Sequence, residues 1–216
     1  MDEYRRTVIN PGDEVSKMAK RVNVGSYQNS AAVHVVDASG HFRGLVGYRW
    51  NRRVLLDMLL GRVLAVPQSD GAGGKPQFFT LLGEVRAFYG LGWEVITMNV
   101  DDVACGGGLP VMMLSSNIDV KQVTPENLHL VKAIMDGMAA ALRQSHLVLM
   151  TGETAVMQHS ITAFCDNGTP EQLILTWGAT CLGLMERRRR LHERAITPGM
   201  AVVGFREKGY RCNGGT

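Results

Sequence analysis

The feature that most constrains the fold of this chain is a glycine-rich segment with an aspartate at one end and a lysine at the other, Ser-Asp-Gly-Ala-Gly-Gly-Lys at residues 69–75. The apolar run at residues 63–66 precedes it and is typical of a buried strand. Glycines let backbone N–H groups approach an anion closely, and a lysine adds a point charge that suits phosphate. Asp70 cannot bind phosphate directly, but its carboxylate can hold a Mg²⁺ ion that does. An ordinary strand-to-loop turn is the competing interpretation.

A second acidic position follows within a predicted helix. Residues 94–105 carry apolar side chains at helical spacing, and Asp101 and Asp102 stand near the end of that segment. Two adjacent carboxylates oppose the helix dipole there, at a cost of about 0.3–1 kcal/mol each when they are exposed. A bound cation removes this conflict, and plain exposure to solvent explains the pair equally well.

The strand-and-acid arrangement then occurs a second time. Residues 147–150 form an apolar run that predicts a buried strand, and Thr151, Gly152 and Glu153 follow it at the expected exit. Ligands of α/β domains are held by loops that leave strand ends. Glu153 is therefore a third candidate ligand.

Other segments give weaker expectations. The polar residues 1–24 predict a loosely packed arm, and the glycine-punctuated residues 40–47 predict a mobile loop. The long β-rich stretch at residues 173–185 predicts a strand with a bulge or bend at Trp177 and Gly178. A final strand is expected at residues 200–205.

Composition excludes several classes of protein. A chain of 216 residues can bury a core without disulfides. A net charge of +3 argues against a dedicated nucleic-acid binder, and we interpret the arginine run at residues 187–190 as a solvated surface. The four cysteines are far apart, which is typical of reduced thiols in a cytoplasmic protein. No apolar run reaches the length of about 18 residues that a membrane span needs.

Taken in order, these motifs resemble those of the aminoimidazole ribonucleotide synthetase family, also called phosphoribosylformylglycinamidine cyclo-ligase. The family's Thr-Asp-Gly-Val-Gly-Thr-Lys loop is similar to residues 69–75, and its Asn-Asp-Leu-Val helix end is similar to residues 101–104. Its Gly-Gly-Glu-Thr-Ala-Glu-Met segment resembles residues 151–157 and is the most specific match. Its Gly-Asp-Val-Leu-Ile-Gly strand resembles residues 199–204. The resemblance covers roughly residues 60 to 216.

The resemblance implies an α+β fold, in which a mixed sheet is flanked by helices on one side and the sheets of two chains pair into a barrel in a homodimer. It divides the chain into an N-terminal arm with a glycine-rich loop at residues 1–60, an ATP-binding domain at residues 61–207, and a junction at residues 208–216 to a C-terminal domain that is missing here. The glycine-rich loop at residues 40–47 would correspond to a mobile lid.

The resemblance also implies roles for individual residues. ATP and Mg²⁺ would be the cofactors, with the metal held by Asp70, Asp102 and Glu153. Lys75 and Asp70 would act in catalysis. The nucleotide would be bound by residues of both strand exits, namely Gly71, Gly73, Gly74, Lys75, Thr151, Gly152 and Glu153.

The implied reaction uses ATP to phosphorylate the amide of formylglycinamidine ribonucleotide and then closes an imidazole ring, giving aminoimidazole ribonucleotide, ADP and phosphate. This chain would be the ATP-binding half of such a cytoplasmic enzyme, with a ribonucleotide as its small-molecule substrate. Two alternatives stay open: a non-catalytic nucleotide-binding or dimerisation module, and another ATP-using member of the same superfamily. Three departures from the family pattern favour the module: Gly74 stands where the loop has threonine, and Gly106 and Leu109 stand where the family has glutamine and glutamate before a proline.

Overall fold

The computed structural model describes residues 2–26, 32–36, 42–48, 52–108 and 111–204, with side chains for residues 14–26, 56–108 and 113–204. Its helices and strands follow one another as α1 (Asp2–Ser26), β1 (Ala32–Val36), β2 (Phe42–Tyr48), α2 (Arg52–Leu59), β3 (Val63–Gly71), α3 (Lys75–Leu82), α4 (Val85–Cys105), β4 (Val111–Val120), α5 (Leu128–Gln144), β5 (Val148–Val156) and β6 (Leu175–Glu186). One short 3₁₀ turn, Gln158–Ser160, lies between β5 and β6, and two more, Arg187–Arg189 and Glu193–Ala195, follow β6. None of the described helices combines the length and the apolar character needed to cross a bilayer.

The main sheet has four strands in the order β3-β6-β4-β5. Strand β6 runs antiparallel to both of its neighbours, and β4 and β5 run parallel to each other. The strands β1 and β2 form a separate antiparallel pair. The predicted mixed sheet is therefore confirmed.

The two faces of this sheet have different environments. Along β6 the buried positions alternate with more exposed ones from Leu175 to Glu186, as expected when successive side chains point to opposite faces. The buried face carries the core residues Trp177, Cys181, Leu114 and Ile118. We call it the helix face, because α4 packs on β3 and β6 from that side. The opposite face, which we call the open face, carries the exposed positions.

Helices α4 and α5 form the covering layer and pack closely on each other. A Cβ atom on Gly92 would lie 2.4 Å from the carbonyl oxygen of Ile134, and one on Gly137 would lie 2.0 Å from the carbonyl oxygen of Tyr89. No side chain fits at either position. The two backbones can approach this closely only because glycine stands at both positions.

The expected loose N-terminal arm is wrong, because α1 is a long helix that docks on the domain. Val15 and Val22 are buried in the core. Ser26 Oγ accepts a hydrogen bond of 2.9 Å from the Leu149 N–H, and Asn23 Nδ2 donates one of 2.5 Å to the Leu149 carbonyl. Val15, Met18, Ala19 and Val22 stand at spacings of three and four and form one apolar stripe that packs on the core. The many charged residues of the segment hid this stripe in the sequence.

Three further expectations need correction. Most of residues 40–47, expected as a mobile loop, belongs to strand β2, which pairs with β1. Residues 201–204 are not a strand, and residues 205–216, including the proposed junction, lie outside the described residues. Strand β6 pairs with β4 without interruption through Trp177 and Gly178, so there is no bulge at these residues. The pairing of β6 with β4 is instead irregular between Val111 and Met113, at the start of β4.

Candidate functional site

The candidate site begins where β3 ends, at Asp70. The strand continues through Ser69 and Asp70 to Gly71, so the turn starts later than the sequence suggested. The Asp70 carboxylate accepts a hydrogen bond of 2.7 Å from the Gly71 N–H through Oδ1. A Cβ on Gly71 would lie 3.1 Å from the Trp177 carbonyl oxygen, which explains why a residue without a side chain is suited to this position. Ala72 is fully buried and donates from its N–H to the same carbonyl at 2.8 Å.

Gly73 and Gly74 form the turn that leads into α3. Gly73 has φ of 56°, a left-handed conformation that favours glycine. Gly74 is the residue before the helix, where no side chain caps the backbone. Neither residue's N–H has a hydrogen-bond partner within the described part of the chain. These two N–H groups at a helix start are the donors to which an anion can bind.

Lys75 is already engaged within the protein. Its Nζ donates to Glu94 Oε2 on α4 at 2.7 Å, and Met98 Sδ lies 3.6 Å from Nζ. The side chains of Lys75 and Glu94 are only 12% and 10% exposed. The lysine is therefore a nearly buried member of an ion pair, and its ammonium is held against α4.

Asn99 connects α4 to the end of β3. Its Nδ2 donates to the carbonyls of Val95, at 2.8 Å, and of Asp70, at 3.3 Å. Its backbone carbonyl accepts a hydrogen bond of 3.2 Å from the Cys181 thiol. The residue is fully buried, yet Asn99 Oδ1 has no hydrogen-bond partner among the residues that the structure describes. A buried acceptor without a donor costs free energy, so this oxygen is suited to a further ligand at the end of β3.

Asp101 and Asp102 occupy the last turn of α4, as the sequence predicted. Burial raises the pKa of the Asp101 carboxyl, and the negative charge of Asp102 raises it further. Burial likewise raises the pKa of the Cys181 thiol to about 11, with Asp102 adding to the effect. The charge of Asp102 therefore contributes to the electrostatic environment of the Cys181 thiol on the helix face of β6. The negative charge around Asp101 and Asp102 is not neutralised by any described lysine or arginine in an ion pair.

Asp70 lies on the same face of the sheet. It is in register with Ala179 on β6, which is in register with Ser116 on β4, and both of these are buried on the helix face. Asn99 and Asp102 are one turn apart on α4, the helix that covers this face. The structure thus brings Asp70, Asn99 and Asp102 to one side of the sheet.

Glu153 is not part of this group. Residues 151–154, predicted as an exit loop, lie inside strand β5, which continues to Val156. Glu153 is in register with the exposed Asn117, one residue away from the row that contains Asp70. Adjacent residues of a strand point to opposite faces, so Glu153 lies on the open face. Strand β5 also lies three strands across the sheet from β3. Glu153 is therefore about 14 Å from Asp70 at the usual spacing between neighbouring strands.

The same register between β4 and β5 also gives the positions of Thr151 and Gly152. Thr151 Oγ1 is 2.7 Å from Ser115 Oγ on the open face, and Gly152 is in register with Ser116 at the far end of the row of Asp70. Among the described residues no three His, Cys, Asp or Glu side chains are grouped so that they could hold a metal ion. Within one chain, the described residues thus do not gather Asp70, Asp102 and Glu153 around a single point. The cause is the length of β5, which the short apolar run did not indicate.

Two residues of the site were missed from the sequence, Glu94 and Asn99. The helix was expected to start at Glu94, but α4 starts at Val85, so Glu94 lies two turns inside it and is buried. A buried glutamate in an apolar helix needs a partner, and the lysine of the glycine-rich segment was available. A glutamate among apolar helix residues was therefore the sequence feature that could have indicated Glu94.

Comparison with known proteins gives a family match. Residues 58–185 match the model described as "AIR synthase related protein, N-terminal domain". Phosphoribosylformylglycinamidine cyclo-ligase of Thermococcus kodakarensis is 30% identical over 146 residues, which are 68% of this chain and 38% of that protein. The enzyme of the same name from Saccharolobus solfataricus is 23% identical over 214 residues, 99% of this chain and 55% of that protein. The chain thus spans about half the length, or less, of these curated relatives.

Solved structures with the same fold are similar to this chain as well. Thiamine-monophosphate kinase from Stenotrophomonas maltophilia K279a superposes with a TM-score of 0.53 and 13% identity, over 80% of this chain and 42% of that one. HypE from E. coli superposes with a TM-score of 0.52 and 17% identity, over 83% of this chain and 47% of that one. At these identities the likeness concerns the fold alone.

Proposed function

The chain belongs to the AIR synthase related family through its N-terminal domain, and from this premise we propose that it is the ATP-binding half of an ATP-dependent ligase of purine biosynthesis. The proposed reaction is the ring closure of formylglycinamidine ribonucleotide to aminoimidazole ribonucleotide, with ADP and phosphate as the other products. The names of the curated relatives support this reaction. Because the chain spans only part of those relatives, the whole reaction would need groups beyond the described residues.

The observation that carries the proposal is the turn after β3. Two N–H groups without internal partners, those of Gly73 and Gly74, stand at the start of α3, and Asp70 stands directly before the turn. An anion at a helix start is stabilised by such N–H groups and by the helix dipole. We propose that Gly73 and Gly74 donate to phosphate oxygens of ATP. The N–H of Gly71 is not available to a phosphate in the same way, because it already donates to the Asp70 carboxylate.

The residues on the helix face fit a divalent cation. Asp70 and Asp102 supply carboxylate oxygens, and the buried Asn99 Oδ1 is an amide oxygen without a donor. Mg²⁺ is bound by hard oxygen ligands of these kinds, through one or two carboxylates together with phosphates and water. We propose that Asp70 and Asp102 hold the ion and that Asn99 completes its surroundings directly or through water. Glu153, on the open face, is outside this metal site.

When bound, Mg-ATP would supply the phosphoryl group that activates the substrate amide. The protein's part in such a transfer is positioning and neutralisation of charge. Gly73 and Gly74 would fix the phosphates with their N–H groups, and Asp70 and Asp102 would fix the ion. An ammonium has three N–H donors, and Lys75 uses one of them for Glu94. Lys75 would donate to the phosphates through an N–H that Glu94 does not use.

We also propose that two copies of the chain associate through the open faces of their sheets. This face has no covering layer of described residues, and it carries the exposed Ala65, Pro67, Ser69 and Thr180. Two of these are apolar, and Ser69 Oγ is already hydrogen-bonded with Thr180 Oγ1 at 3.0 Å. Closing the sheet into a barrel would cover the unpaired edges of β3 and β5.

A second candidate is a nucleotide-binding module without catalysis. Two observations favour it: Gly74 lacks the hydroxyl that the family loop provides, and the charge of Lys75 is largely compensated by Glu94. Both reduce the transition-state stabilisation that the loop provides, while the N–H donors needed for binding are kept.

The experiment is a calorimetric titration of the chain with ATP, with and without Mg²⁺, followed by an assay for ADP release that depends on formylglycinamidine ribonucleotide. Saturable binding that requires Mg²⁺ is expected. If the binding is present but a longer chain that includes the C-terminal region releases no ADP with this substrate, the non-catalytic module is the better account. If neither ATP nor Mg-ATP binds, the proposed function is wrong in both forms.

A further inference from the structure

The Lys75–Glu94 pair joins the glycine-rich turn to the middle of the covering helix. Lys75 is the first residue of α3, directly after Gly74, and Glu94 lies two turns inside α4. The contact between Nζ and Oε2 is 2.7 Å, and both side chains are close to nine-tenths buried. No other acid is ion-paired with Lys75 among the described residues. The position of the ammonium is therefore set by one carboxylate from another element.

Burial determines how this pair can behave. Removing one partner of a buried pair leaves the other charge without compensation in a poorly solvated place, which is strongly unfavourable. An incoming phosphate therefore does not draw Lys75 away from Glu94 at small cost. An ammonium has three donors, of which Glu94 accepts one and the weak acceptor Met98 Sδ another. The third donor can serve a phosphate while the pair stays intact.

We propose that Glu94 is the positioning residue of the phosphate site: it holds the ammonium of Lys75, the residue that directly follows the Gly73–Gly74 turn, so that the contribution of Lys75 to binding the phosphate chain depends on Glu94. This inference rests on the proposed function, because it concerns the same ATP site. It adds that Glu94, which touches no ligand itself, is as necessary for that site as the lysine. Family motifs in the sequence gave Glu94 no role.

The test is a double-mutant cycle on ATP affinity, measured by calorimetry in the presence of Mg²⁺. The variants are Lys75→Met, Glu94→Gln and the two together, with Glu94→Asp as a conservative variant that keeps the charge. Glu84→Gln is the matched control, because Glu84 is an exposed carboxylate just before the same helix. The affinity for AMP, which lacks the distal phosphates, is measured by competition for each variant.

Each single substitution is expected to weaken ATP binding by roughly tenfold or more, which is the scale of a charge-assisted hydrogen bond. The double variant should be no weaker than either single variant, because the two residues act as a unit. The Glu94→Asp variant should lie between wild type and Glu94→Gln. AMP affinity and the Glu84→Gln control should stay within about twofold of wild type, the scatter expected for independent sites.

Three results would overturn the inference while leaving the proposed function intact: wild-type ATP affinity in Glu94→Gln, effects of Lys75 and Glu94 that multiply in the double variant, or equal losses of ATP and AMP affinity. If Glu94→Gln does not fold, Glu94→Asp decides, since intermediate affinity supports the positioning role and wild-type affinity overturns it. Absence of Mg-ATP binding by the wild-type chain would instead remove the proposed function and this inference together.

Discussion

Gly137 on α5 lies against the backbone of Tyr89 on α4, so closely that a Cβ atom at Gly137 would be 2.0 Å from the Tyr89 carbonyl oxygen. The neighbouring atom belongs to the backbone of a helix and cannot turn away as a flexible side chain would. The α4–α5 crossing carries Glu94 and Asn99 to their places, so the geometry of the site depends on this contact.

We therefore predict that Gly137→Ala destabilises the protein by about 3 kcal/mol, in the upper range of overpacking substitutions. Urea denaturation followed by circular dichroism measures the change. The matched control is Gly90→Ala on α4, where a Cβ meets nothing within 4 Å. That control should be neutral or stabilising by up to about 1 kcal/mol, because alanine favours a helix more than glycine does. Equal stability of the two variants would contradict the close crossing.

The docking of α1 gives a second prediction. Ser26 Oγ accepts the hydrogen bond of the buried Leu149 N–H and donates one of 2.7 Å to the Asn23 carbonyl. In Ser26→Ala the Leu149 N–H loses its partner, at an expected cost of about 1–3 kcal/mol in the free energy of unfolding. Ser16→Ala, at an exposed position of the same helix, is the control and should change stability by less than about 0.5 kcal/mol. An arm that is loosely attached would show no difference between the two variants.

A third prediction concerns the pH dependence of stability. The pKa of Asp101 is raised in the folded state from its ordinary value of 3.8, because burial and Asp102 disfavour the ionised form. The favourable contribution of Asp101 to the free energy of unfolding is thus fully present below pH 3.8. It is lost as the pH rises through the higher folded-state pKa. Asp101→Asn should therefore be more stable than wild type at pH 7.

That advantage should shrink as the pH falls from 7 to about 3, below the ordinary pKa of 3.8, where Asp101 is mostly protonated in both the folded and the unfolded state. Denaturation of both proteins at the two pH values measures it. Glu171→Gln, at an exposed position, is the control and should show no such difference. A lower stability of Asp101→Asn at pH 7 would mean that the ionised carboxylate has a favourable partner in the fold.

The sequence predicted much of the fold because its strands and its two long core helices have clear apolar patterns. The stripe of Leu128, Val131, Met135 and Met138 predicted α5 as a core helix, and all of these but Leu128 are almost completely buried. Thr124, followed by Pro125 and Glu126, has the pattern that is typical of a helix start. It does cap this region, since its Oγ1 accepts from the Asn127 N–H at 3.2 Å while Asn127 Oδ1 accepts from the Thr124 N–H at 2.9 Å.

The sequence did not predict what depends on strand length and register. Residues 151–154 have the glycine and the acid of a loop, yet parallel pairing with β4 extends β5 to Val156. That extension assigns Glu153 to the open face, and a shift of one residue would have assigned it to the helix face. Similarly, the pairing of Lys75 with Glu94 brings together residues 19 positions apart. The apolar surroundings of Glu94 in the sequence indicate that it needs a partner, but they do not say which residue the partner is.

The central claim is that the metal of the ATP site is held on the helix face, by Asp70 and Asp102, and not by Glu153. The most direct test is the ATP-dependent binding of Mn²⁺, used as a paramagnetic substitute for Mg²⁺, to wild type, Asp102→Asn and Glu153→Gln. We expect Asp102→Asn to weaken binding at least about tenfold, as loss of a charged ligand should, and Glu153→Gln to match wild type. Loss of Mn²⁺ binding in Glu153→Gln with wild-type binding in Asp102→Asn would contradict the account.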